Sequence, residues 1–169
     1  MCNGAGSCAA NTPYAVGEAS ADGWSAFSVS NDKWWVVPVF VPRTANLQEL
    51  RLIGASATGQ ARMAIWADNA GAPGAYHAQT NNFSMASGVV SQAPTANIQL
   101  TGGRTYWVGA KFTGGATIYI DTASGTAYSY NQSFSSVPSS TMSPFPTGSA
   151  TLEPGTSLNF FLLLQDVPQ

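Results

Sequence analysis

The 169-residue chain carries only 6 Lys+Arg and 8 Asp+Glu, so 8% of it is charged and its net charge is −2, where an ordinary soluble domain is roughly 25% charged. Two lysines and four arginines build no basic face, which excludes nucleic acid as a partner, and the absence of any uninterrupted apolar run of about 18 residues excludes a helical membrane span. A hydrophobic share of 44% argues against disorder, and Ser, Thr, Asn and Gln supply 52 residues, giving a neutral, polar, small-residue surface around an aromatic-rich core.

Residues 1–23 read as an irregular arm: Gly4, Gly6, Pro13, Gly17 and Gly23 punctuate them and no period shows. No basic n-region or apolar h-region opens the chain, so no ordinary signal peptide is expected. Cys2 and Cys8 lie in this arm as free thiols, a local disulfide or an intersubunit pair; spacing alone does not choose. From residue 24 to 169 short strands alternate with turns. Trp24–Ser30 is β-like. Trp34–Val41 is a strong strand, but Pro38 has no N–H to give a ladder, which predicts an edge or a bulge. Leu47–Ile53 follows. Ala61–Asp68 alternates, with Met63, Ile65 and Ala67 on one face and Arg62, Trp66 and Asp68 on the other. Past the turn-dense stretch 69–74 come Ala75–Thr80, Gly88–Gln92 and Thr95–Leu100. Arg104–Phe112 presents Tyr106, Val108, Ala110 and Phe112 to one side. Thr117–Asp121 and Ala127–Asn131 precede a long Ser/Thr/Pro/Gly loop over 132–157. The closing strand, Leu158–Asp166, holds an unalternating run Phe160–Leu164 that predicts burial on both faces. The pattern predicts an all-β protein: a single jelly-roll-like antiparallel β-sandwich behind an irregular N-terminal arm.

The stretch Leu50–Phe112 carries a more particular signal. Ala61-Arg-Met-Ala-Ile-Trp-Ala-Asp-Asn-Ala-Gly-Ala-Pro-Gly74 is followed by Ile98-Gln-Leu-Thr-Gly-Gly-Arg-Thr-Tyr-Trp-Val-Gly109. This resembles the jelly-roll domain of many bacterial extracellular and surface-anchored proteins and similar modules in phage structural proteins. There a strand leads into Asp-x-x-Gly-x-Pro-Gly and a later one opens Leu-x-x-Gly-x-Tyr-Trp. The resemblance implies a fold; its motifs are turn chemistry and core aromatics, which name no reaction.

Among candidate sites, Asp68, Asn69 and Asp121 offer too few oxygens for calcium and suit turns that bond their own backbone. His77, the sole histidine, has no Gly-x-Ser-x-Gly elbow to serve. The eight acids fall mostly at turns and strand surfaces, unsuited to paired-carboxylate hydrolysis. Neither Gly-Gly pair precedes the Lys-Ser/Thr of a phosphate loop. No enzyme activity, cofactor or metal is expected. Trp34, Trp35 and Trp66 are the ligand-facing candidates, as sugar-stacking rings or partner contacts. Adjacent strand residues point to opposite faces, so one of Trp34 and Trp35 should leave the core, and Trp66 falls opposite Met63 and Ile65. The expected function is a bacteriophage capsid decoration, cementing or fibre subunit. It would sit in the virion as a homo-oligomer, a trimer by resemblance, against partners such as a major capsid protein, with the arm lying on a neighbouring chain. The alternative is an extracellular or cell-surface carbohydrate-binding or adhesion module.

Overall fold

The computed structural model describes residues 12–134 and 144–167. One sheet runs β1 (Tyr14–Gly17), β15 (Phe160–Asp166), β4 (Ala45–Gly54), β11 (Thr117–Asp121) and β14 (Ser157–Leu158). In it β2 (Ser25–Ser28) lies beside β11, while β8 (Gly88–Gln92) and β9 (Gln99–Leu100) lie beside β4. The other sheet runs β13 (Thr151–Pro154), β12 (Thr126–Asn131), β3 (Lys33–Val41), β10 (Arg104–Thr113), β5 (Gln60–Asp68) and β6 (Pro73–Gln79), with β7 (Phe83–Ser84) beside β5. All pairings are antiparallel. The chain is therefore an all-β antiparallel sandwich, an arrangement compatible with a jelly-roll-like fold.

Strand alternation sets the interior. Trp35, Val37, Val39 and Val41 of β3, Met63 and Ile65 of β5, and Val108, Ala110 and Phe112 of β10 face Leu47, Leu50 and Leu52 of β4 and Phe160, Leu162 and Leu164 of β15. In the closing run Phe160, Phe161, Leu162 and Leu164 are buried and Leu163 is half-buried, so both faces of β15 are largely covered, as its sequence predicts.

Three expectations are modified. Within the segment read as an irregular arm, Tyr14–Gly17 is a strand, registered from Tyr14 opposite Leu164 to Gly17 opposite Phe161. Four residues have too little length to show a period, and the open edge of β15 supplies the hydrogen bonds that order them. The described residues 12–13 and 18–23 form no strand or helix, as expected of the arm, while residues 1–11, with Cys2 and Cys8, lie outside the described ones. The long loop is shorter than expected: Thr147–Ser149 is a 3-10 turn, and β13 and β14 occupy 151–154 and 157–158. Finally, β3 is flanked on both sides at its start, but β12 pairs with it only from Lys33 to Val36. Pro38 sits past that point, where β3 faces β10 alone and no ladder donor is needed.

Candidate functional site

The second sheet has aromatic residues on its outer face as well as its inner one. Trp34 and Trp35 do point opposite ways. Trp35 enters the main core, where its ring meets Phe27 edge-on at 5.6 Å. Trp34 turns outward and joins Val36, Ala64, Trp66, Trp107 and Phe145 in a separate cluster flanked by Tyr76, Tyr128 and Tyr130. Trp34 and Trp66 cross at 5.3 Å and 90°, Trp66 and Phe145 at 5.3 Å and 81°, and Trp107 and Tyr128 at 5.3 Å and 71°. Edge-to-face contacts place a ring's positive rim on its neighbour's negative face. Gly109 makes the room: a Cβ there would collide with the Val36 side chain and the Trp35 carbonyl.

The face is closed from far along the chain. Phe145 lies over Trp66 and Tyr130, and its backbone N–H donates to the Gly74 carbonyl at 2.8 Å. Trp34 and Trp66 are consequently 0% exposed, and Trp35, on the inner face, is 6% exposed. This corrects the sugar-stacking expectation: alternation assigns the correct faces, but the outward rings are covered, and none of the three leaves a face open to a ligand.

Two cations share this covered face. Lys111 of β10 stands opposite Arg62 of β5 on one side and Trp34 of β3 on the other. Lys111 Nζ donates to the Ser133 carbonyl at 2.8 Å and to Gln132 Oε1 at 3.3 Å, and lies 5.3 Å from the Trp34 ring centre. Gln132 Oε1 also accepts from Trp34 Nε1 at 2.8 Å. Burial, reinforced by the neighbouring Arg62 charge and opposed by Asp32, lowers the Lys111 pKa to about 8. Arg62 Nε donates to Asn82 Oδ1 at 2.8 Å, and burial lowers its pKa too. Nothing in the sequence flags either cation, since each occupies an outward strand position where a solvated charge is the ordinary occupant.

At one end of the same sheet a depression of about 460 Å³ is lined by Ala67, Asp68, His77, Arg104, Thr105 and Tyr106, with the 101–103 turn at its rim. Asp68 is held by Trp107 Nε1 at 2.8 Å and by the Gly71 N–H at 3.1 Å, so its carboxylate braces a turn. Asp121 likewise accepts from the Ala123 N–H and from Ser124 Oγ, which hold it below the usual carboxylate range. His77 packs its ring against Tyr106 at 5.6 Å. No group of three or more metal-ligating side chains occurs among the described residues. Comparison with protein-family models finds no match for this chain, and comparison with curated proteins finds none.

Proposed function

We propose that the chain is a non-enzymatic structural subunit of a virion, a bacteriophage capsid decoration, cementing or fibre component that acts through contacts between subunits. The observation that carries this reading is a pair of large exposed apolar side chains on the second sheet, one of them on its edge strand among the described residues. Phe40 and Leu152 are 58% and 50% exposed, and Pro38 is exposed with Phe40 on the same face of β3. Leu152 lies opposite Tyr128 on the edge strand β13. Exposed apolar side chains lose water favourably when another subunit covers them, and an edge strand offers that subunit free backbone groups. With 8% charged residues overall, little charge is desolvated when such an interface closes. The jelly-roll resemblance supplies the virion context, and closed symmetry, a trimer by that resemblance, is the proposed state. The test is sedimentation of the purified chain over a wide concentration range, with Phe40→Ser/Leu152→Asp beside it, and binding to phage heads bearing a major capsid protein. A chain that stays monomeric throughout and binds no particle overturns the reading.

A second reading, an extracellular carbohydrate-binding or adhesion module, draws on the depression beside Arg104 and His77, whose volume and polar lining suit a sugar. Glycan-array binding that is lost in Arg104→Ala supports it; a flat array removes it.

A further inference from the structure

We propose that the Arg62–Lys111 pair on the outer face of the second sheet is a binding site for a single carboxylate group. The chain has six basic residues, and these two are the ones whose burial is complete or nearly so: Lys111 is 0% and Arg62 8% exposed. They are direct register partners on β10 and β5, so like charges face each other across one ladder. Phe134 brings them closer in function, since its ring centre lies 5.7 Å from Lys111 Nζ and 6.0 Å from the Arg62 guanidinium carbon.

Arg62 Nη1 is buried and has no hydrogen-bond partner, and none of the three ion pairs among the described residues includes Arg62. A buried guanidinium nitrogen left in that state carries the full cost of losing water, which a ligand atom would remove. Neighbouring charges specify the ligand. Asp32 offsets the charge of Lys111, and its backbone N–H and C=O bind Phe112 and Gln132, fixing it near that lysine. Tyr76, also near Arg62, is neutral at pH 7, its pKa raised further by burial. One net positive charge remains, which a singly charged ligand neutralises and a phosphate dianion would exceed. A guanidinium presents coplanar N–H groups that match a carboxylate, and Nε is already engaged by Asn82. The remaining Nη edge is therefore the donor. The carboxylate comes from a small free acid or from an Asp or Glu of a neighbouring subunit; the chemistry is the same, and the proposal stands apart from the assembly reading.

The probe is acetate. Sodium acetate is exchanged for sodium chloride at constant ionic strength and pH 7, and Tm is followed for the wild type, Arg62→Gln and Lys111→Met. The wild-type Tm is expected to rise by a few degrees and saturate, as ligand binding to the native state requires, while Arg62→Gln stays flat. Circular dichroism in chloride establishes that each variant is folded, and Lys111→Met gives a second, independent loss of response should Arg62→Gln fold poorly. A Tm that rises with protein concentration in chloride, and does so only when Arg62 is present, also supports the site and assigns the carboxylate to a neighbouring subunit. A wild type indifferent to both acetate and protein concentration, or variants that respond as the wild type does, overturns the proposal.

Discussion

Replacing Lys111 by Met should change how stability depends on pH. The ordinary lysine pKa of 10.5 falls to about 8 here, first because Nζ is out of water and second because Arg62 repels it. The interval between the two values corresponds to about 3 kcal/mol of preference for the neutral amine in the folded chain, taken as an upper limit. The sign follows from linkage. Between pH 8 and 10.5 the unfolded chain holds the lysine proton more often than the folded chain does, so stability rises with pH across that window. Below pH 8 the whole penalty is present. Met keeps the length of the side chain and removes the charge, so its stability should lack this rise. The hydrogen bonds from Nζ to Ser133 and Gln132 are lost as well. That loss adds an offset largely independent of pH, so the readout is the slope and not the absolute value. Urea unfolding followed by tryptophan fluorescence, in acetate-free buffers from neutral pH to the lysine range, gives both curves. Tyrosines common to both proteins cancel in the difference. The wild type should gain up to about 3 kcal/mol on the variant between the ends of the window. Parallel curves would refute the assignment of a buried, charge-opposed lysine.

The other predictions concern the covered face and its braces. Trp66→Ala, which empties a fully buried position against Trp34 and Phe145, should cost about 3–5 kcal/mol in urea unfolding. Gly109→Val drives a side chain into Val36 and the Trp35 carbonyl and should cost about 3 kcal/mol or more, seen as loss of soluble, cooperatively unfolding protein. Trp107→Phe removes the indole N–H that Asp68 accepts and should cost about 1.5 kcal/mol or more, in a thermal melt compared with Asp68→Asn. Phe145→Ala should uncover the outward tryptophans, read as a red-shifted emission and faster quenching by acrylamide while far-UV dichroism is unchanged.

What could be read directly was whatever depends on a residue and its near neighbours. Alternation with period two placed Trp34 and Trp35 on opposite faces and Met63 and Ile65 opposite Trp66, because successive strand side chains point to opposite sides of the pleat whatever the fold. Turn chemistry ended the strands, and Pro38 marked the half of β3 that β12 leaves unpaired. What lies over the outward face is a different question. Phe145 reaches Trp66 from 79 positions away, and the segment 132–134 reaches Lys111 from 21 or more, so no local pattern separates these residues from solvated ones. Tyr14–Gly17 becomes a strand only because β15 offers a free edge. Composition determined the low charge, and alternation with turn punctuation the all-β class; tertiary contacts alone decided that three outward tryptophans are core and that two of six basic residues lie beneath an aromatic cover, since burial depends on which distant segments pack together.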